Sequence, residues 1–218
     1  MRFSVLSLHP DLFSGFRSEG LLGKSFQSQK LQLNLFNPRE FADLPHKRVD
    51  DKPYGGGPGM VMKPEPIVRA LRSIKEVPKE KKRVVLLAAK GRKFSQAMAR
   101  RYSKLDHLVL ICGRYEGIDE RVAENFVDEE IRIGDYVLMG GEVAAQVVIE
   151  AVSRLLPEVI GNPVSLEDES FGAGSEKEYA HFTRPPDFEG YKVPEVLLKG
   201  NHKEILKWRS ASRRKVSS

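Results

Sequence analysis

Leu108-Val109-Leu110-Ile111-Cys112-Gly113-Arg114-Tyr115-Glu116-Gly117 is the stretch from which the fold follows. Its opening apolar run is too short for a typical helix and rich in strand formers. That pattern predicts a strand buried on both faces, as parallel strands are. The glycine and charged residues behind it mark a turn, and residues 117–126 then carry apolar side chains at helical spacing. Working outward, residues 84–89 repeat the apolar run, and residues 3–8 and 31–36 also read as strands. Helical patterns occupy residues 64–74, 95–102 and 142–156. Strands that alternate with helices predict an α/β domain around a parallel sheet. The chain carries no internal repeat.

Two stretches interrupt the alternation. Residues 49–60 run from Asp50-Asp51-Lys52-Pro53 into Gly55-Gly56-Gly57-Pro58-Gly59, a composition that predicts a surface loop. Residues 161–178 are rich in Gly, Ser, Asp and Glu with few apolar residues, and read as a linker. An α/β domain over residues 1–160, an interdomain linker over 161–180 and a small helical domain over 181–218 are therefore expected. Asn201 followed by Glu204 has the form of a capping box opening a helix through Ile205, Leu206 and Trp208.

Composition narrows the function classes. With 218 residues, 40% of them hydrophobic, the chain can bury a full core. No stretch approaches the roughly 20 apolar residues that span a bilayer, and no apolar run follows a basic N-terminal segment, so a cytoplasmic protein without membrane partners is expected. Cys112 is the single cysteine, which excludes an internal disulfide and a cysteine-based metal site. Lys and Arg number 36 against 30 Asp and Glu. The excess gathers at the end, in Lys199, Lys203, Lys207, Arg209, Arg213, Arg214 and Lys215, either as phosphate contacts or as a solvated tail.

Two turns have the composition of ligand loops. Residues 113–120 lead from strand to helix, where open α/β sheets place their ligands. Glu116, Asp119 and Glu120 there disfavour a phosphate at the helix N-terminus. They either complement the helix dipole or accept from ribose hydroxyls beside a cation such as a sulfonium. Ile133-Gly134-Asp135-Tyr136-Val137-Leu138-Met139-Gly140-Gly141-Glu142 is an extended segment whose glycine pair opens a helix. Such a pair lets a ligand approach backbone N–H and C=O groups, or is an ordinary tight turn.

Pro53-Tyr54-Gly55-Gly56-Gly57-Pro58-Gly59-Met60, the 113–121 run, the 134–142 run and His181-Phe182-Thr183-Arg184-Pro185, in that order, resemble the bacterial tRNA (guanine-37-N1)-methyltransferases of the SPOUT superfamily. The resemblance implies a deep trefoil knot near the end of the catalytic domain, an exception to the rule that chains do not thread loops. It implies that S-adenosyl-L-methionine lies bent in that knot. The matching pocket positions are Leu86, Leu87 and Ala89, then Gly113, Tyr115 and Glu116, then Ile133, Gly134, Tyr136, Leu138, Gly140 and Gly141. Many act through backbone atoms, so the side chain of Met139, where the family usually has a hydroxyl residue, should matter little.

The resemblance assigns Arg154 to the charge developing on guanine O6, although Glu150 and Arg154 also suit an ordinary i,i+4 pair at a helix end. Guanine N1 carries a proton, so a carboxylate must remove it. The family has Asp directly before Ser-Phe. Here Asp168-Glu169-Ser170-Phe171 puts Glu169 in that register, with Asp168 as the reserve. A second family Asp matches Glu178, which joins the donor-binding positions. The resemblance further implies a homodimer with sites shared between subunits, and as substrate a tRNA anticodon stem-loop with guanosine at 36 and 37. It suggests a dependence on Mg2+, for which no ligand cluster in the sequence identifies a site. It also implies further basic helical sequence beyond Trp208-Arg209, so a shortened C-terminal unit is expected.

Two rivals frame this reading. A covalent pyrimidine methyltransferase would use Cys112 as nucleophile, but that residue ends an apolar strand without a neighbouring base. A non-enzymatic RNA-binding module would explain the basic tail and leave both glycine turns without a purpose.

Overall fold

The computed structural model describes residues 1–75, 78–160 and 179–212. Residues 161–178 of the expected linker, with Asp168, Glu169 and Glu178, and the terminal Arg213, Arg214 and Lys215 lie outside the described residues. The chain divides after Ile160 into two compact units.

In the first unit five strands, β1 (Arg2–Leu6), β2 (Gln32–Phe36), β5 (Lys82–Lys93), β6 (His107–Cys112) and β7 (Glu129–Arg132), form one sheet in the order β2-β1-β6-β5-β7. Every pairing is parallel. Successive side chains of a strand point to opposite faces, and the apolar runs use both. Val85, Leu87, Leu108, Leu110 and Cys112 join a core with α4 (Gln96–Tyr102) and α6 (Glu142–Ser153). Val84, Leu86, Val109 and Ile111 join a second core with α3 (Pro64–Ser73) and α5 (Glu120–Phe126). Two short helices, α1 (Ser14–Ser18) and α2 (Gly20–Gln27), connect β1 to β2.

The α/β expectation and the four expected strands hold, with shifted ends. β7 goes unread in the sequence because Ile131 is its only apolar residue, as suits the edge of the sheet. Residues 49–60 are only partly loop. Asp50–Asp51 (β3) pairs with Val61–Met62 (β4), and Val49 is buried in the second core. The glycine segment is thus the tip of a small hairpin anchored at its base.

The second unit contains a hairpin of β8 (Asp187–Phe188) and β9 (Tyr191–Lys192), then α7 (Glu195–Leu198) and α8 (His202–Ser212). The hairpin turns through Glu189 and Gly190, both with positive φ, the pattern of a two-residue turn matched to strand twist. Asn201 caps α8 as expected, accepting from the Lys203 and Glu204 N–H groups at 3.2 and 3.4 Å. Trp208 packs edge-on to Phe182, with ring centroids 6.0 Å apart.

Candidate active site

Three segments meet at the C-terminal ends of β5, β6 and β7 and enclose a cleft of about 530 Å3. Open parallel sheets bind ligands at this edge. The first wall is a break in β5. Leu87 and Arg92 both pair with Ile131, so the residues between them leave the ladder. Gly91 allows the strand to return, because a Cβ there would lie 2.7 Å from the Glu130 carbonyl oxygen. Leu86, Leu87, Ala89 and Lys90 line the cleft.

The second wall is the turn after β6, which brings Gly113, Arg114, Tyr115 and Glu116 to the cleft. Tyr115 takes a left-handed conformation, φ +60°. The turn leans on the small hairpin: the Glu116 N–H donates to the Met60 carbonyl at 3.0 Å, and the Met62 N–H to the Gly117 carbonyl at 2.9 Å. Its carboxylates have separate fates. Asp119 caps α5 and holds Arg121 through two side-chain bonds of 2.7 and 2.8 Å, which keep its carboxyl below the usual range. Both oxygens of Glu120 accept from Lys90 at 2.6 Å, which raises the lysine pKa. Asp119 therefore serves the N-terminus of α5 and Glu120, in its first turn, pairs with Lys90, while Glu116 lines the cleft beside Glu120 without a role in capping α5.

The third wall is residues 133–141. Ile133, Tyr136, Leu138, Gly140 and Gly141 line the cleft, whereas Gly134 does not; a side chain at Gly134 would collide with the Tyr136 ring. Gly141 lies against the end of β6 and donates its N–H to the Gly113 carbonyl at 3.1 Å. Met139 is 93% exposed, and its carbonyl accepts from Arg114 at 3.3 Å. The sequence reading passed over Arg114, Lys90 and Ala144, which also line the cleft. Arg114 stands inside the motif beside Gly113 and Tyr115, so its position was the available signal. Lys90 and Ala144 follow only from the strand break and the helix start.

Arg154 stands elsewhere. It caps the C-terminal end of α6, its N–H bonded to the Glu150 carbonyl at 3.1 Å. The N-terminal end of that helix lines the cleft, and a twelve-residue helix spans about 18 Å. Cys112 is buried, and burial with Glu142 close by pushes its thiol well up, so it is no nucleophile. Among the described residues no group of three or more His, Cys, Asp or Glu gathers to hold a metal, and no helix is long and apolar enough to cross a membrane. In the second unit Lys199 and Lys207 pair with Glu195 and Glu204, and Arg209 lies over the Tyr179 ring at 4.8 Å.

Residues 1–217 match the family model described as tRNA (Guanine-1)-methyltransferase TrmD. The chain is 51% identical to a tRNA (guanine-N(1)-)-methyltransferase of Carboxydothermus hydrogenoformans, over 96% of its own length and 81% of that protein. It is 49% identical to one of Dictyoglomus turgidum, over 96% and 83%, and 47% identical to one of Ruminiclostridium cellulolyticum, over 96% and 89%. A match that runs through all three walls of the cleft and nearly the whole chain leaves one placement: the chain belongs to the tRNA (guanine-1)-methyltransferase TrmD family.

Proposed function

We propose that this chain methylates N1 of guanosine 37 in tRNAs that carry guanosine at 36 and 37, with S-adenosyl-L-methionine as donor. The observation that carries the reading is the convergence of the three family-matched segments on one cleft of about 530 Å3, a volume typical of small-molecule sites. Gly140 and Gly141 let the third wall pack closely on Arg114 and the end of β6, and Glu116 offers a carboxylate to ribose hydroxyls or to a sulfonium. The donor supplies an electrophilic methyl when bound.

The chain's own groups must deprotonate N1 and steady charge on O6. Glu169 is the proposed base, Asp168 the alternative, and Arg154 the O6 partner, with Glu178 assisting donor binding. A target whose Watson-Crick edge must be reached is offered at least cost by an unpaired anticodon loop. The proposed organisation is a catalytic domain over 1–160 with a trefoil knot formed by the donor loops, a linker over 161–180 and a small tRNA-binding domain over 181–218, acting in the cytoplasm. No step is routed through Mg2+, since the described residues gather no ligand set for it.

The placement of Arg154 supports a homodimer. It lies at the other end of α6 from the cleft of its own subunit, so a second copy is the natural source of the arginine. Val137, Met139, Val143 and Val147 are exposed on the third wall and α6, and supply an apolar face for a twofold partner.

Nucleoside mass spectrometry of a transcript with guanosine at 36 and 37, after incubation with enzyme and donor, should show N1-methylguanosine. Unmodified RNA under conditions where donor binding is demonstrated overturns the assignment. An RNA-binding module without activity would bind RNA and no donor. Glu169→Gln should lower turnover by roughly 10²- to 10⁴-fold and spare donor binding, with Asp168→Asn mild; the reverse moves the base to Asp168. Mixing a Glu116→Ala subunit with an Arg154→Ala, Glu169→Gln subunit should restore activity if sites are shared. Activity no higher than that of the separate variants rules sharing out.

A further inference from the structure

Glu142 is a carboxylate buried to 1% exposure just outside the cleft wall, at the first position of α6. A buried carboxylate is unfavourable unless paired and hydrogen-bonded. Here three elements compensate it in part: Oε1 is hydrogen-bonded, while Oε2, without a hydrogen-bond partner, is held by charge. Ser7, just beyond β1, donates its hydroxyl to Oε1 at 2.8 Å, and that hydroxyl is held in turn by the His9 N–H at 2.9 Å. The start of α6 adds the positive end of the helix dipole. Arg114, from the turn after β6, brings Nη2 to 3.0 Å from Oε2. The same guanidinium donates through Nη1 to the Met139 carbonyl at 3.3 Å and lies over Gly140, where a Cβ would meet its Cδ at 2.6 Å.

Arg114 thus bridges the second and third walls, and Glu142 fixes the direction of that bridge from behind. We infer that Glu142 is a positioning residue, which acts through Arg114 to hold the 133–141 segment in the shape that receives the methyl donor. Glu142 itself does not line the cleft, whereas Arg114, Gly140 and Gly141 do. Without its carboxylate, Arg114 loses an ion pair that forces it inward, and the partly exposed guanidinium turns to water. The Gly141 N–H bond to Gly113 then remains to tie the wall to the end of β6.

The test has one readout that needs no donor and one that rests on the donor reading above. In ligand-free Glu142→Gln, amide exchange at Gly141 should rise at least about tenfold while the β6 amides of residues 108–111 keep wild-type protection. General destabilisation, raising both alike, overturns the positioning role. Calorimetric titration with S-adenosyl-L-methionine should show the dissociation constant raised about tenfold. In an Arg114→Met background the same Glu142→Gln change should add less than about twofold, because residues that act as a unit are not additive. An equal loss in both backgrounds sinks the inference. Ser7→Ala keeps the ion pair and should show the same exchange pattern to a smaller extent, which holds the test open if Glu142→Gln does not fold. Should the wild-type protein bind no donor, the donor reading fails and the exchange measurement still decides the role of Glu142.

Discussion

The two glycine-rich loops of the first unit look alike as sequence and use glycine for opposite reasons. In the hairpin tip, Gly55 and Gly56 have φ of +81° and +80°, and a Cβ on either would meet nothing within 4 Å. Glycine is there for a backbone conformation that other residues adopt at a cost. In the third wall Gly140 and Gly141 have no positive φ, but a Cβ would strike Arg114 in one case and the backbone of β6 in the other. Glycine is there for space. Gly55 and Gly56 have room for bulk but not an ordinary conformation, whereas Gly59 in the same loop has neither, since a Cβ there would lie 2.6 Å from Glu116 Cγ; Gly140 and Gly141 have the ordinary conformation and no room.

Gly141→Ala should break the comparison most visibly. Its Cβ would lie 2.7 Å from Cys112 Cα and 3.2 Å from the Gly113 nitrogen, atoms that cannot swing aside. The third wall must lift from the sheet, at a cost of about 3 kcal/mol in unfolding free energy, the upper part of the range for overpacking. Donor affinity should fall about 100-fold, equivalent to about 2.7 kcal/mol. Denaturant unfolding and calorimetry check both, and a wild-type dissociation constant would refute the argument from space.

The comparison has to be made at fixed pH, because the sheet beneath both loops should lose stability in acid. His107 is wholly buried in β6, shares a 2.9 Å hydrogen bond with Ser4, and has its pKa pushed down to about 4 by burial and by the charges of Arg2 and Lys82. A folded pKa below the free value of about 6.5 means that its contribution is complete above pH 6.5 and is lost as pH falls toward 4. The loss is at most about 3.4 kcal/mol, from about 2.5 pKa units at 1.36 kcal/mol each. Unfolding free energies at pH 7, 5.5 and 4.5 should trace it, and His107→Leu should flatten the profile. An unchanged slope in that variant assigns the acid sensitivity elsewhere.

Gly140→Ala sharpens the distinction within the third wall. The obstacle is the Arg114 side chain, 2.6 Å away at Cδ, which can yield only by loosening its ion pair with Glu142, so donor affinity should fall roughly tenfold, about 1.4 kcal/mol, with a smaller loss of stability than in Gly141→Ala. The smallest effect belongs to the hairpin tip. Gly56→Ala should cost about 1 kcal/mol for the left-handed conformation and leave the donor dissociation constant within about twofold. A large loss of donor binding in Gly56→Ala would place the hairpin tip in the donor site and erase the contrast.

Much of this was legible in the chain itself. The apolar runs at 84–87 and 108–112 are buried on both faces of a parallel sheet because no other placement hides every side chain of a strand, whereas Ala88 and Ala89, read with the first run, lose that burial at the strand break. The motifs that carry the resemblance named most of the cleft, since residues around a shared ligand recur at fixed places along a chain. β7 was not legible, because an edge strand with Ile131 as its only apolar residue has no periodic signal to show. Nor was the pairing of Asp50–Asp51 with Val61–Met62, which depends on β4 meeting the turn after β6.

Sequence alone determined the fold class, the strand ends at which a ligand would sit, and the residue types around it, because periodicity and turn composition are local properties. Only the tertiary structure decided which carboxylate does what. Asp119 became a cap, Glu120 a partner of Lys90 at the cleft edge, Glu142 a buried anchor for Arg114, and Glu116 a cleft acid without a role in capping. These residues are chemically near-equivalent on paper. Their roles separate through burial and the cation each one meets, and both are set by residues distant in the chain, such as Ser7 and Lys90.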